Sequence, residues 1–338
     1  MHFHLLGLFA TVLAAQEAPS PKVQPVVDLG PLAVGAIVEG SFGVYWDDAA
    51  LAKATAVATP PKGVRVLRLT TQTYVERAMT TVEFAVDTAD PGVLDGVFDL
   101  RCGTEAASVP MRAEVRAATP GGSRVLVAQT PFETFSSDDP KTFDAWRQLV
   151  GSAHLDVDYR LVQRGRPTFD IGALARVDVV LAGEDALLAL DDQQVAKLQG
   201  FVCGGGRLIV CADAFFMGTV HGANRIAEAF DLAIVDRESG DGGWRVDAAG
   251  LRKHALTVGV DGIEVLRPSP VTIGEGSSGV ALATFTTPRE QPFVAMATTV
   301  GGGEMVVVGN SLWWNTAHKS PGFARLLRNL LQRAPRQR

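Results

Sequence analysis

Three side chains of the kinds that transfer protons or bind metal ions occur in the second half of the sequence: Glu184, Asp213 and His221. Carboxylates and imidazole act as general acids and bases and also bind several divalent cations. No ligand-spacing motif links the three positions. Two interpretations therefore stay open: a hydrolase that works through Asp213, Glu184 and His221, or charges solvated on separate loops. We assign no metal ion to this pattern.

Two adjacent tryptophans, Trp313 and Trp314, are predicted in a loop that follows the last strand, with Asn310, Ser311 and His318 around them. Such a loop can form an aromatic surface flanked by hydrogen-bonding side chains, suited to binding a sugar ring or a partner protein. The alternative is structural: one Trp fills the junction between sheet and helix, and the other packs on the N-terminal domain. A hydrolase acting through Ser311 would need a base, and the sequence shows none beside it.

The three cysteines, Cys102, Cys203 and Cys211, are predicted to be separate thiols. Cys203 and Cys211 flank a strand of six or seven residues, which at about 3.3 Å per residue holds their Cα atoms too far apart to bridge. Cys102 has no partner in its own segment, so we expect a buried free thiol there.

Continuous apolar runs from residue 123 onward are typical of parallel strands that are buried on both faces. The runs cover residues 124–128, 177–182, 207–211 and 305–309. Helices are predicted between them, beginning at Asp139–Pro140, Asp191, residue 221 and Ser320–Pro321. The alternation predicts a doubly wound α/β domain, with residues 280–286 and 293–299 as an antiparallel hairpin at its edge.

In open α/β sheets, ligands bind beyond the carboxyl ends of the strands, so the loops there should lie side by side. The candidate ligand-binding residues in those loops are Gln129, Glu133, Glu184, Asp213, Asn310, Ser311, Trp313, Trp314 and His318. The glycines at 204–206 precede a strand, whereas phosphate-binding loops precede a helix. The sequence therefore predicts no cofactor.

Residues 26–117 show short alternating segments separated by turns, which predict antiparallel strands with one solvated face. The opening residues 27–32 and 35–42, and the later Leu94–Phe98, resemble the "D-h-G-x-h…G-x-x-h" and "G-x-h" patterns of bacterial exported immunoglobulin-like domains. The resemblance implies a β-sandwich that serves as a scaffold or adhesion module. Residues 118–122 are predicted to be the linker to the second domain.

Residues 123–335 resemble a divergent class I glutamine-amidotransferase-like domain of bacterial exported proteins. Four passages carry the resemblance, in the family's order: FVCGGGRLIV (201–210), NRIAEAFDL (224–232), HALTVGV (254–260) and GEMVVVGNS (303–311). They imply a flavodoxin-like α/β fold.

The nucleophile motif of that family is missing here. Its enzymes place a cysteine between glycines in a sharp strand–helix turn, with His and Glu later in the chain. Cys211 lacks the glycines and comes one or two positions early, while Asp213 occupies the approximate turn position. No His-x-Glu dyad appears near the C-terminus, where the nearest histidine is His318. We therefore expect a degenerate domain without amidotransferase chemistry.

The N-terminal end is typical of an exported protein. An apolar run ending in Ala14–Ala15 is too short to span a bilayer and predicts a signal peptide over residues 1–15, cut near Ala15, followed by a linker over 16–25. The mature protein is then periplasmic or secreted, and no later run predicts a transmembrane helix.

The charge composition bears on which partners the protein can bind. A net charge of -6 argues against nucleic acid as a partner. The basic residues near the C-terminus are interpreted as complements to the dipole of the last helix. We predict a non-catalytic binding or assembly protein whose ligand is a carbohydrate or a cell-envelope protein, with the hydrolase as the alternative.

Overall fold

The computed structural model describes residues 26–74, 76–129, 140–162, 169–214, 218–237, 243–286, 288–311 and 313–336, with the side chains at 129, 140–143, 184, 185 and 313–315 left out. The predicted signal peptide (1–15), the linker (16–25) and Glu133 lie outside the described residues. Within the described chain, strands outnumber helices, and several sheets make a multidomain, β-rich architecture. None of the described helices is long and apolar enough to cross a membrane.

The N-terminal part consists of two packed β-layers. The described strands are β1 (Val27–Ala33), β2 (Val38–Trp46), β3 (Ala56–Thr59), β4 (Val64–Tyr74), β5 (Arg77–Val86), β6 (Gly92–Cys102) and β7 (Glu105–Arg116). One layer has the order β1-β7-β6-β3, and the other contains β2-β5-β4. Phe42, Phe84 and Phe98 join the layers, with ring centroids 5.0 Å apart between Phe42 and Phe98.

Two details of the predicted strands are wrong. β6 and β7 alternate between buried and exposed residues as expected, but β2 and β5 are buried on almost every residue. Both faces of these two strands are covered by protein, so neither face is solvated. β1 also pairs with β7 in parallel, whereas the alternation had predicted antiparallel strands throughout.

The second part alternates strands and helices as predicted. Its elements are β8 (Arg124–Gln129), α1 (Pro140–Ser152), β9 (Asp156–Leu161), α2 (Ile171–Arg176), β10 (Val179–Gly183), α3 (Glu184–Leu188), α4 (Asp192–Cys203), β11 (Arg207–Cys211), α5 (Thr219–Ala227), β12 (Leu232–Ile234), β13 (Gly243–Val246), β14 (Ile263–Leu266), β15 (Val271–Ile273), β16 (Val280–Phe285), β17 (Gln291–Thr298), β18 (Glu304–Val308), α6 (Trp313–Lys319) and α7 (Pro321–Leu331).

Five of these strands form a parallel sheet in the order β9-β8-β10-β11-β18. The predicted hairpin, β16 with β17, continues the sheet antiparallel beyond β18 and is confirmed. One face packs against α1 and α7, and the other against α2, α4 and α5, so apolar strand residues are buried on both sides.

Helix starts follow the capping residues that the sequence shows. Asp191 accepts the backbone N–H of Gln194 at 2.7 Å and so begins α4. Ser320 accepts the N–H of Phe323, with Pro321 in the first turn of α7. The apolar stripe predicted for α7 is fully buried, and its members are Phe323, Leu326, Leu327, Leu330 and Leu331.

Two local predictions near the C-terminus need correction. Trp313 and Trp314 lie in the first turn of α6 rather than in a loop. The basic C-terminal residues do more than complement a helix dipole, because Arg333 and Arg336 lie beyond the end of α7. Arg336 donates to the carbonyls of Leu174 and Val177 at 2.7 Å, and its N–H donates to the buried Asp178 carboxylate at 2.9 Å. The chain end therefore crosses the amino edge of the parallel sheet.

Arg207 holds this crossing in place from inside the protein. It is buried, pairs with Glu304 at 2.7 Å, and donates to the carbonyls of Leu330 and Gln332 at 2.6 and 3.0 Å. These carbonyls end α7 and have no partner within the helix.

A junction between β2 and β9 merges the two parts into a single ten-stranded sheet, in the order β16-β17-β18-β11-β10-β8-β9-β2-β5-β4. The N–H of Tyr159 donates to the carbonyl of Ile37 at 2.8 Å, beside the parallel pair Val38–Tyr159. Where this ladder ends, Asp158 Oδ1 accepts the N–H of Ile37 at 2.9 Å and Glu39 Oε2 accepts that of Leu161 at 3.2 Å. Residues 117–123, at the predicted linker, contain no helix or strand.

We expect Arg207→Met to lower the free energy of unfolding by about 3–5 kcal/mol, because it removes the buried donor to the α7 carbonyls and breaks the ion pair with Glu304. Urea unfolding followed by circular dichroism measures the change. Arg325→Met, on the exposed side of α7, is the matched control and should stay within about 0.5 kcal/mol of wild type. Equal stabilities for the two variants would contradict the role given to Arg207.

Asp158 should make stability depend on pH. Burial raises the pKa of Asp158 above its ordinary value, although the Ile37 hydrogen bond and the positive charge of Arg176 oppose the shift. Because the folded-state pKa is the higher one, the contribution is complete below the ordinary pKa and is lost as pH rises through the folded pKa. Asp158→Asn keeps an oxygen acceptor for Ile37, so its unfolding free energy should change less than that of wild type between about pH 4 and pH 6.

Urea titrations at a series of pH values measure this slope. Asp95→Asn, at a carboxylate whose side chain is 65% exposed, is the control. A slope for Asp158→Asn as steep as that of wild type would refute the prediction.

Candidate functional site

The carboxyl ends of β11 and β18 are joined by a buried side-chain contact between two predicted site residues. Asp213 Oδ2 accepts the backbone N–H of Ser311 at 2.8 Å and its hydroxyl at 2.7 Å. Asp213 is 2% exposed and Ser311 is fully buried. The adjacent strands bring them together, since Cys211 pairs with Val308 in the parallel register. The carboxylate therefore holds two strand ends together.

A crossing segment covers these strand ends. The N–H of Ser269 donates to the carbonyl of Gly309 at 2.9 Å, and its hydroxyl accepts the N–H of Ala214 at 2.9 Å. A Cβ at Gly309 would lie 1.8 Å from the Ser269 carbonyl oxygen, so glycine alone permits this close approach. The ends of β11 and β18 are thus closed by protein rather than open to a cleft.

Asn310 has a structural contact of the same kind. It is 1% exposed, and its Oδ1 accepts the hydroxyl of Thr316 at 2.7 Å. The bond ties the end of β18 to α6, so the side-chain oxygen of Asn310 is used within the protein.

Cys211 lies inside the sheet. It is fully buried, between Gly183 on β10 and Val308 on β18. Burial strongly raises the pKa of its thiol, which keeps it protonated and a poor nucleophile. All three cysteines are free, which confirms the prediction of separate thiols: Cys102 is buried, and Cys203 is exposed at the end of α4.

The described geometry does not bring His221 into a cluster with Asp213. Thr219 begins α5 and donates its hydroxyl to the carbonyl of Asp213 at 2.9 Å, while Gly222 packs tightly on the backbone of α3 at Leu187. His221 lies between these inward positions and is exposed. Among the described residues, no group of three His, Cys, Asp or Glu could hold a metal ion.

The remaining candidate residues fall into two groups. Gln129 ends β8, Glu184 begins α3, and Trp313 and Trp314 begin α6, all four with side chains outside the described set. His318, in the last turn of α6, is half-buried and lines a groove between α1, α6 and α7.

That groove has a volume of about 680 Å³ and contains Leu149, Ala317 and Arg328 besides His318. A hydrogen bond of 2.8 Å from Arg328 to the carbonyl of Ser152 lies at one end of it. A second depression of about 450 Å³ lies near Gly250 and Arg252. Neither contains Asp213 or Ser311.

Sequence reasoning missed one charged cluster, at the junction of the two parts. Arg160 lies 3.6 Å from a Glu39 oxygen and 3.8 Å from an Asp170 oxygen, and its buried Nε has no hydrogen-bond partner among the described residues. Glu39 and Arg160 are far apart in the sequence and share no motif. Only the pairing of β2 with β9 makes them neighbours.

Comparisons with known proteins assign no family to the chain. No family model and no curated protein matches it. Three solved structures are similar to parts of it: the VesB protease of Vibrio cholerae (15% identity, 28% of this chain, 31% of that one, TM-score 0.19), an endo-fucoidan hydrolase of glycoside hydrolase family 107 (15%, 28%, 13%, 0.17) and a family 123 glycoside hydrolase from Clostridium perfringens (9%, 54%, 44%, 0.19). The chain spans less than half the length of each structure, and similarity this low supports no conclusion on fold or activity.

We expect Asp213→Ala to lower the free energy of unfolding by about 3 kcal/mol, because the buried N–H and hydroxyl of Ser311 both lose their acceptor. Ser311→Ala removes only the hydroxyl contact and should cost about half as much. Chemical denaturation of both variants shows which substitution lowers the free energy of unfolding more.

The exposed His221→Ala is the control and should leave stability within about 0.5 kcal/mol of wild type. If Asp213→Ala were as stable as wild type, the structural role of the carboxylate would be ruled out.

Proposed function

We propose that the protein is an exported, non-catalytic binding or assembly protein. In this proposal, an immunoglobulin-like sandwich over residues 26–117 precedes a degenerate amidotransferase-like domain over residues 123–335. The observation that carries it is the contact between Asp213 and Ser311, which uses the position of the expected nucleophile turn for structure.

The strand order supports the identity of the second domain. Numbered along the chain, the parallel strands β8, β9, β10, β11 and β18 take the spatial order 2-1-3-4-5, with helices on both faces. That order belongs to flavodoxin-like doubly wound folds, with which the amidotransferase-like resemblance agrees. The two packed layers of β1–β7 likewise support a sandwich, and their opening strand carries the resemblance to immunoglobulin-like domains.

The chemistry of the strand ends argues against a nucleophile at this position. Cys211 is enclosed in the sheet, with a raised pKa, and Ser311 donates its hydroxyl to a carboxylate in a buried contact. A catalytic serine or cysteine must reach its substrate and have a base and oxyanion donors around it. Both side chains instead stabilise the fold.

The ligand we propose is a carbohydrate or a cell-envelope protein, bound near the start of α6. Trp313 and Trp314 begin this helix directly after the last parallel strand, on the side of the sheet where doubly wound folds bind ligands. His318, one to two turns later, offers a polar group at the adjoining groove. No cofactor forms part of the proposal.

Binding to polysaccharides tests this proposal directly. The purified chain without residues 1–15 is assayed against insoluble peptidoglycan and a panel of soluble polysaccharides by sedimentation and calorimetry. Trp313→Ala and Trp314→Ala should each weaken binding at least about tenfold if the rings stack on the ligand. His221→Ala, on the exposed side of α5, is the matched control and should bind as wild type does. Unchanged binding in both Trp variants, or no binding to any probe, would contradict the carbohydrate proposal.

The alternative is a hydrolase that uses Asp213, Glu184 and His221. It is disfavoured because the Asp213 carboxylate accepts two hydrogen bonds from Ser311, while His221 is exposed on α5. Hydrolytic turnover on any of the same polysaccharides that Asp213→Asn and His221→Ala both abolish, with folding intact, would favour it over the binding protein.

A further inference from the structure

The two ends of the ten-stranded sheet differ in how their outer edges are protected. At one end, β16 is covered: Arg252 donates to the carbonyl of Leu282 at 3.0 Å, and Leu251 forms a bridge with Ala283. At the other end lies β4, which pairs only with β5. Unpaired edge strands offer a row of backbone donors and acceptors that can pair with another strand.

Among the described residues, the backbone of β4 has no hydrogen-bond partner on its outer side. In the described part of the chain, no backbone hydrogen bond reaches Arg65–Tyr74 except from β5. A bulge lies between Val66 and Arg68, and the register is regular from there to Tyr74. Edges are commonly blunted by charge, proline or bulges, and the six residues Leu69–Tyr74 contain none of these.

The composition of this segment favours strand pairing. Leu69-Thr70-Thr71-Gln72-Thr73-Tyr74 is rich in residues that prefer strands, and Gln72, Thr73 and Tyr74 are exposed. Tyr74 forms a ring contact with Tyr45 at 5.6 Å, and the two side chains are 45% and 43% exposed. An uncharged strand edge therefore ends at an exposed aromatic pair.

We propose that β4 pairs antiparallel with β4 of a second copy of this chain, about a two-fold axis through Thr71. This register places Thr71 opposite itself, Thr70 opposite Gln72, Leu69 opposite Thr73 and Arg68 opposite Tyr74. Isologous dimers of this kind are the commonest closed assemblies, and each half must complement itself.

The segment meets that condition in its side chains. No like charges face each other, Thr–Thr pairs are favourable across strands, and Arg68 can lie over the Tyr74 ring of the partner. The position of the Thr71 side chain is also compatible with this pairing. Its hydroxyl lies 3.0 Å from that of Thr80 inside the sandwich, so the side chain does not obstruct the outer edge of β4. The dimer would extend the ten-stranded sheet continuously into its copy. The inference concerns a surface remote from α6 and does not rest on the proposed function.

Two double variants at the same positions test the register. Thr70→Lys with Gln72→Lys places Lys opposite Lys twice, whereas Thr70→Glu with Gln72→Lys places Glu opposite Lys twice. Sedimentation equilibrium of the chain without residues 1–15 measures the dimer dissociation constant of each. We expect wild type to dimerise, the Lys/Lys variant to bind at least about tenfold more weakly, and the Glu/Lys variant to match or exceed wild type.

Hydrogen exchange adds a readout that locates the interface, because those backbone amides of residues 69–73 that point away from β5 should become protected as protein concentration rises. Circular dichroism confirms that both variants fold. A wild type that stays monomeric at all concentrations, a dimer whose affinity is the same in both variants, or protection at another segment would each overturn the proposal. A monomer whose 69–73 amides become protected only when an unrelated extended peptide is added would assign this edge to a different partner.

Discussion

Buried backbone groups must find hydrogen-bond partners, and this requirement is most demanding where β2 meets β9. The ladder between these strands is very short, with Val38 and Tyr159 as its paired residues. Beyond it, buried N–H groups would lose both water and a strand partner, at a cost of about 1–3 kcal/mol each. Asp158 and Glu39 accept two of these N–H groups, so carboxylates replace the missing carbonyls. The continuity of the ten-stranded sheet depends on this junction.

The two ends of the parallel sheet use polar side chains in the same structural way. At the amino ends, Asp178, Arg207 and Arg336 fasten the end of the chain to the strands. At the carboxyl ends of β11 and β18, Asp213 holds Ser311 beneath the segment that contains Ser269. Doubly wound folds normally keep the carboxyl end for ligands. Here the ends of β11 and β18 are covered by protein, so the ligand site that we propose lies beside them, at the start of α6.

The neighbours of a polar residue thus determine whether it is available for catalysis or stabilises the fold. Asp213 and Ser311 have the side chains of a hydrolase, but each is a hydrogen-bond partner of the other, and both are buried. Cys211 has a nucleophilic atom, but burial keeps it protonated. At such positions, solvent exposure and hydrogen-bond partners determine whether a side chain has a catalytic or a structural role, more than its residue type does.

Periodicity and capping residues were sufficient to predict several of the local elements. The apolar stripe of α7, the caps at Asp191 and Ser320, and the hairpin β16–β17 follow from interactions among residues close in sequence, so they could be derived without coordinates. The placement of α6 could not, since Trp313 and Trp314 carry no cap signal that distinguishes a loop from a first helical turn. Asp213 and Ser311 were both named as site residues from their position after strands, but their mutual contact was not foreseen. Contacts such as Glu39–Arg160, Asp213–Ser311 and Arg207–Leu330 join residues separated by about a hundred positions or more, and no local pattern encodes them. The sequence by itself determined which residues are apolar, where elements begin and which chemistry is available. Tertiary structure alone decided which polar groups are buried together, because pairing of distant strands creates both the low-dielectric environment and the hydrogen-bond partner.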